Sequence, residues 1–148
     1  MYNFDDLGKK ISELNECTNA LIAKTGLNYS EFAVLYTLAK DGCSTQKKIG
    51  EEWLIPKQTV FNVCKDFRQK GLVQISEQSM NKREHTINLT QKGHDVADPI
   101  VHASDELGKR VFASLGEKNA EKLFSLLTRF CEICDKEIEN TPGIQTKI

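Results

Sequence analysis

The chain has 148 residues, a formal net charge of −1, 39% hydrophobic residues and 28% charged residues. This length and composition are typical of one globular domain and exclude a disordered or fibrous protein. The apolar runs are too short to cross a membrane, and the acidic N-terminus lacks the pattern of a secretory signal, so we expect a cytoplasmic protein with no membrane partner. Five cysteines at irregular spacing argue against a disulfide scaffold.

Four helices are predicted in the first half of the chain. Apolar residues at steps of three and four predict a helix over about 5–24. Ser30 is a suitable N-cap for a second helix, and Ser44 or Thr45 for a short third helix. Pro56 begins a fourth helix, because a proline at the first helical position loses no hydrogen bond.

A hairpin and two long helices are predicted in the second half. Alternating apolar and polar residues predict strands at 72–76 and 85–89, with a polar tip at 77–84 between them. Thr90 caps a fifth helix, which Pro99 should kink, and a sixth helix follows. Three helices followed by a two-stranded ribbon predict a winged helix-turn-helix.

Basic side chains concentrate in the middle of the chain. Residues 44–94 hold nine basic and five acidic side chains, whereas the remaining residues are acidic overall. Phosphate groups respond to local positive charge, so the distribution matters more than the net charge. This basic window is a candidate DNA-binding surface.

The fourth helix presents two faces. Its apolar stripe, which should hold it to the body, consists of Val60, Val63, Cys64 and Phe67. Its other side carries Lys57, Gln58, Thr59, Phe61, Asn62 and Lys65. Glutamine and asparagine can pair with adenine, threonine can meet a thymine methyl or a phosphate, and lysine can bind phosphate or guanine. We predict base reading by Gln58, Thr59 and Asn62, with Lys57 and Lys65 near the DNA backbone. A polar face that is only solvated would give the same pattern.

The hairpin tip adds a second group of cations. Lys82 and Arg83 lie between the two predicted strands. A cation on a ribbon beside a recognition helix can reach the adjacent minor groove, where narrow A·T segments concentrate negative potential. We predict that Arg83 enters the minor groove. The alternative is a turn with ordinary surface charge.

Several short segments carry a resemblance to a known family. They lie at 27–36, 49–53, 59–60, 67–73, 81–83 and 89–93. Lys-Gly-Leu-Val at 70–73 and Leu-Thr-Gln-Lys-Gly at 89–93, with an arginine between them, are fairly specific together. With these segments the chain resembles the MarR family of bacterial transcriptional regulators over nearly its whole length.

The resemblance implies a mainly α fold with a small β-wing, in one domain spanning 1–148. It implies a winged DNA-binding module at about 28–93 and dimerisation helices at about 5–24 and 94–139. It also implies a homodimer that binds double-stranded DNA and acts as a repressor on a pseudo-palindromic operator. The wide apolar stripes of the flanking helices support the dimer independently, because soluble monomers avoid large exposed apolar patches.

Two positions depart from the family pattern. The family's wing usually reads Asp-x-Arg, and here Asn81 replaces the aspartate; it can accept a hydrogen bond from Arg83 but lacks the charge. Phe61 occupies a position that is usually small or polar. It either contacts a thymine methyl or packs inward and shifts the helix.

Effector binding is a further expectation from the resemblance. Family members respond to small aromatic or lipophilic ligands in a cleft between the dimerisation helices and the winged module. Tyr29, Phe32 and Tyr36, together with Trp53, are the candidate ligand-binding residues. Aromatic residues at helical spacing more often simply pack in a core, and we favour that interpretation.

Cys17 is the candidate redox residue. In hydroperoxide-sensing relatives, a first-helix cysteine lies near tyrosines of the second helix. A sensor needs an accessible thiolate, whereas the commoner buried cysteine is inert. The three histidines lack ligand spacing, so we predict no metal and no cofactor.

An enzyme and a protein-interaction module are the two alternatives to a DNA-binding regulator. The chain has no phosphate-binding loop, metal-binding histidine pair or nucleophile elbow, so we predict that it is not an enzyme. A winged-helix module that contacts only other proteins is the competing hypothesis. The dependence of binding affinity on salt concentration distinguishes the two hypotheses, because the affinity of a protein for DNA falls steeply as the ionic strength rises.

Overall fold

The computed structural model describes residues 1–75 and 86–143. The elements in chain order are α1 (Phe4–Ala23), α2 (Tyr29–Asp41), β1 (Cys43–Thr45), α3 (Gln46–Glu52), α4 (Lys57–Gln69), β2 (Val73–Ile75), β3 (Thr86–Leu89), α5 (Gln91–Leu115) and α6 (Glu117–Glu139). The predicted fold class, mainly α with a small β-wing, is confirmed. Within the described ranges, no helix is long and apolar enough to cross a membrane.

Side-chain caps determine where the helices begin. The predicted cap of α2, Ser30, was wrong: the cap is Asn28, whose side chain accepts a hydrogen bond from the Glu31 N–H at 3.0 Å. The Glu31 carboxylate in turn accepts from the Asn28 N–H at 2.9 Å, which completes a capping box. Thr45 caps α3 as predicted. Pro56 is the N-cap of α4 rather than its first helical residue.

The three described strands form one antiparallel sheet in the order β1-β3-β2. Ile87 of the central strand pairs with Ser44 on one side and with Ile75 on the other. The strands β2 and β3 were predicted as the hairpin pair. The strand β1 was missed, because three residues are too few to show an alternating pattern.

One apolar core joins α2, α3, α4, the sheet and the start of α5. Its largest fully buried side chains are Val34, Leu35, Leu38, Ile49 and Val60. The predicted stripe of α4 faces this core: Val60, Cys64 and Phe67 are buried, and Val63 is partly buried against them. The opposite side of α4 therefore faces outward.

The start of α5 is tied to the end of α4. Thr90 caps α5 as predicted, and its hydroxyl accepts from the Gly93 N–H at 3.0 Å while donating to the Gly71 carbonyl at 2.6 Å. Any side chain at Gly93 would overlap the carbonyl oxygen of Leu72. The side chain of Lys92 donates to the Lys70 carbonyl at 2.8 Å. These contacts hold β2 and β3 beside α4.

The chain divides into two compact units, Met1–Asp105 and Glu106–Ile148. The helix α5 begins in the first unit, continues through Pro99 and ends in the second unit. The helix α6 has no buried residue along its 23 residues. Its large exposed apolar side chains are Leu123, Phe124, Leu126, Leu127, Phe130, Ile133 and Ile138.

Candidate nucleic-acid interface

The outward face of α4 brings the predicted base-reading residues together. Gln58 and Asn62 are exposed, and Thr59 is half-buried between that face and the core. The Gln58 Nε2 donates to Asn62 Oδ1 at 3.0 Å. Two amide side chains, one helical turn apart, thus form one polar surface. The Asn62 amide N–H groups and the Gln58 carbonyl oxygen make no hydrogen bond with the described residues.

The N-terminus of α4 is electropositive. Its first turn has no acidic residue, and the cap Pro56 supplies no side-chain acceptor. Helix N-termini carry unpaired N–H groups and the positive end of the helix dipole, and Lys57 adds a full charge there. This end of the helix therefore favours an anionic partner.

The cations of α4 separate into paired and unpaired ones. Lys70 contacts Asp66 at 2.6 Å, and this hydrogen bond raises the pKa of Lys70. Lys57, Lys65 and Arg68 are exposed and form no ion pair with residues 1–75 or 86–143. The unpaired cations lie on the same outward side as the base-reading candidates.

Phe61 faces outward, which excludes the inward packing that was one of the two alternatives left open by the sequence. Its side chain is 48% exposed, so it does not pack into the core. It borders a groove of about 280 Å³ between α4 and the sheet, which we call the α4–β2 groove. The described residues that line this groove are Gln46, Phe61, Cys64, Lys65, Arg68, Val73, Gln74, Ile75 and Ile87.

The predicted wing residues lie outside the described residues. This applies to Lys82 and Arg83, and also to Asn81, the residue that replaces the aspartate of the family's wing. The flanking strands β2 and β3 pair through Val73 and Leu89 at one end and through Ile75 and Ile87 at the other.

The turn between α3 and α4 contains a strained residue. Leu54 has a φ of 52°, and it is the one non-glycine residue with a positive φ in the described chain. The Ile55 N–H donates to the Gly50 carbonyl at 2.9 Å, and a Cβ at Gly50 would lie 3.0 Å from the Ile55 carbonyl oxygen. This is a Schellman-type helix end, in which the left-handed position is usually a glycine.

The three candidate ligand residues form one aromatic cluster with Trp53. The rings of Phe32 and Tyr36 stack with centroids 5.3 Å apart, and Trp53 packs edge-on against both and against Tyr29. The Trp53 indole N–H donates to the Thr37 hydroxyl at 2.8 Å. The Tyr29 hydroxyl donates to the Trp53 carbonyl at 3.2 Å. The cluster thus joins α2 to the turn that precedes α4.

Sequence reasoning missed one member of this region, Asp105 of α5. Its carboxylate accepts from the Tyr36 hydroxyl at 3.1 Å and from the Lys40 ammonium at 2.7 Å. Burial and the hydrogen bond to Asp105 raise the pKa of Tyr36, and the same carboxylate raises the pKa of Lys40. Asp105 is 69 residues from Tyr36 in sequence, and no local pattern joins them.

The cysteines occupy different environments. Cys17 is exposed on α1, and no hydrogen bond joins it to Tyr29 or Tyr36. Cys64 is buried, and burial raises the pKa of its thiol to about 11, so it stays un-ionised at neutral pH. The described residues contain no cluster of three or more side chains able to hold a metal ion.

The outward α4, the sheet beside it and the tight turn before it define the class of winged helix-turn-helix proteins. A model described as the MarR family matches residues 25–84. The solved structure of a MarR family regulator from Neisseria meningitidis is 39% identical, covers 95% of this chain and 100% of that chain, and has a TM-score of 0.85. This chain belongs to the MarR family.

Two other comparisons extend the likeness. The HTH-type transcriptional regulator MgrA of Staphylococcus aureus is 26% identical over 122 residues, which cover 82% of each chain. The crystal structure of NadR in complex with 4-hydroxyphenylacetate is 17% identical, covers 90% of this chain and 95% of that chain, and has a TM-score of 0.70. At that identity NadR supports the fold alone. The named relatives are regulators rather than enzymes.

Proposed function

We propose that this MarR-type regulator is a cytoplasmic repressor that binds a pseudo-palindromic operator as a homodimer. The observation that carries the proposal is the outward face of α4, where the Gln58–Asn62 amide pair lies among cations that have no ion-pair partner within residues 1–75 and 86–143. Gln58, Thr59 and Asn62 read base edges in the major groove, and Lys57 and Lys65 bind the flanking phosphates. Arg83 on the predicted hairpin tip, beside Lys82, enters the adjacent minor groove.

The homodimer is supported by apolar surface that a single copy leaves in water. The helix α6 buries no residue, and Val111, Phe112 and Leu115 at the end of α5 are exposed as well. Ile11 and Leu14 add exposed apolar surface on α1. We assign dimerisation to helices at about 5–24 and 94–139, which leaves 28–93 as the DNA-binding module. Two such modules place their recognition helices about 34 Å apart, one turn of DNA.

Selection of bound sequences from random duplex DNA tests this proposal. An inverted repeat should be recovered, and Asn62→Ala should then lower affinity for it by about 1–3 kcal/mol, as the loss of a bidentate base contact does. Asn140→Ala, at the exposed end of α6, is the control and should bind normally. An equal loss on random DNA would contradict base reading by Asn62. If nothing is enriched even at low salt, the protein-contact hypothesis is favoured instead.

The releasing signal is proposed to be a small aromatic or lipophilic effector. The aromatic cluster of Tyr29, Phe32 and Tyr36 supports this, because it joins α2 both to α5 through Asp105 and to the turn before α4. A ligand carboxylate would compete with Asp105 for the Tyr36 hydroxyl. The NadR structure contains 4-hydroxyphenylacetate, so this compound is a suitable first probe for release of the DNA.

An oxidant is the second candidate signal, and it rests on the exposure of Cys17. Peroxide should release the DNA and a reductant should restore binding if this thiol is a sensor. Cys17→Ser should then abolish the response. Cys64→Ser is the matched control and should leave the peroxide response in place, because the un-ionised, inaccessible thiol of Cys64 reacts slowly.

A further inference from the structure

We propose that the α4–β2 groove holds the sugar–phosphate backbone of the bound DNA strand, with Lys65 and Arg68 on a phosphate and Phe61 against a sugar. The inference rests on the proposed DNA-binding function and extends it. It assigns Arg68 and the groove to the interface and gives the unusual Phe61 a role other than base reading.

The shape of the groove is set by elements that are already fixed by the core. Cys64, Val73 and Ile87 are buried and form its apolar base. Phe61 on α4 is 48% exposed and Ile75 on β2 is 40% exposed, so these two side chains form accessible apolar rims of the groove.

The surface of the groove is mostly apolar, and the two charged residues among its described lining are both cations, Lys65 and Arg68. The described lining contains no carboxylate. The acidic residue between the two cations, Asp66, contacts Lys70 at 2.6 Å instead. The thiol of Cys64 adds no negative charge, because burial raises its pKa to about 11. Two cations are thus left without a described counter-ion beside apolar side chains.

A nucleic acid backbone fits this combination better than the other occupants do. It alternates anionic phosphates with apolar sugar faces, and so it uses both the cations and the rims. An inorganic anion would leave Phe61 and Ile75 in water, and an apolar ligand would leave the cations unused. The groove residues Phe61, Lys65 and Arg68 follow Gln58 and Asn62 along one side of the same helix. A strand whose bases meet those amides continues naturally toward the groove.

The dependence of affinity on salt tests the proposal. Each lost phosphate contact lowers the magnitude of the negative slope of log K against log salt concentration by about 0.9 on duplex DNA. Arg68→Ala and Lys65→Ala should each show that decrease, with the same fold loss of affinity on operator and on random duplex. Phe61→Ala should weaken binding without changing the slope. Lys70→Ala is the matched control, because this lysine is paired with Asp66 and lies outside the groove.

Three outcomes would overturn the inference. Unchanged slopes for Arg68→Ala and Lys65→Ala, while Asn62→Ala still weakens operator binding, would remove the groove but keep the DNA-binding function. Thermal stabilisation by inorganic phosphate at constant ionic strength, abolished by Arg68→Ala, would assign the groove to a free anion. Absence of any DNA binding by the unmodified protein at low salt would remove the proposed function itself. Arg68→Lys keeps the positive charge and should therefore keep the slope of the parent protein. If Arg68→Ala changes the slope and Arg68→Lys does not, the change reflects the lost charge and not a loss of folding.

Discussion

Leu54 combines two features that a folded protein usually avoids. Its backbone has a positive φ, which costs about 1–2 kcal/mol for a residue with a Cβ. Its side chain is 89% exposed and buries no apolar surface in return. Its neighbours are fixed on both sides, since Trp53 lies in the aromatic cluster and Ile55 is buried and bonded to Gly50. The strain is therefore imposed by the turn and cannot relax.

We expect Leu54→Gly to raise the free energy of unfolding by about 0.5–1 kcal/mol. Glycine adopts this φ without strain, and its greater freedom in the unfolded chain offsets part of the gain. Urea denaturation followed by circular dichroism measures the change. Leu54→Ala keeps the strained backbone and should give no such gain. A Gly variant no more stable than the Ala variant would show that the turn is not strained.

The residue scale also shows where sequence reasoning is limited. The sequence left the direction of Phe61 open, because Phe61 directly follows Val60 and lies three residues before Cys64, and both of these belong to the apolar stripe of α4. A side chain at the edge of that stripe can face either the core or the solvent. The cap of α2 was misplaced because Asn28 and Ser30 are both good capping residues. Only the capping box with Glu31 decides between them.

At the scale of elements, amphipathic helices were predictable and distant contacts were not. The stripe of α4 and the start of α5 at Thr90 follow from local periodicity and capping, and the structure contains both. The strand β1 depends on pairing with β3, about 40 residues away, which no local pattern reveals. The same holds for the contact of Asp105 with α2, which links the aromatic cluster to α5.

We expect Tyr36→Phe to lower the free energy of unfolding by about 1 kcal/mol at neutral pH, because the hydroxyl's hydrogen bond to Asp105 is lost. The pKa of Tyr36 is raised above 10.0, so the folded state holds the phenolic proton more tightly than the unfolded chain. This contribution is present below about pH 10 and is lost as the pH rises through the folded-state pKa.

The difference between the parent protein and Tyr36→Phe should therefore shrink in strongly alkaline solution. Urea denaturation at neutral pH and above pH 10 measures it. Tyr2→Phe is the control, because Tyr2 is 96% exposed and should show no effect at either pH. A difference that grows with pH would contradict the assigned direction.

At the scale of the whole molecule, the second unit has no buried residue among its described residues, 106–143. Phe112 and Phe124 contact each other there with centroids 5.7 Å apart, and both remain more than 40% exposed. Intramolecular packing therefore leaves most of the apolar surface of this unit uncovered. A second copy is the partner that the family resemblance implies, and its absence would leave an aggregation-prone face.

We expect Phe130→Glu to raise the dimer dissociation constant at least about 100-fold, because an unpaired carboxylate is costly to bury. Sedimentation over a range of concentrations measures it. Glu132→Lys, a charge change on the polar side of α6, is the control and should dimerise normally. Monomeric behaviour of the unmodified protein at all concentrations would contradict the dimer.

The exposed apolar side chains of α6 and the outward face of α4 lie in different units of the chain, and this separation has a genetic consequence. In the proposed homodimer, a copy with a damaged α4 would keep every side chain of α6 and would still combine with an intact copy. With random pairing of equal amounts, about one dimer in four would carry two working recognition helices. Alleles that damage α4 should therefore be dominant, whereas alleles that damage α6 should be recessive.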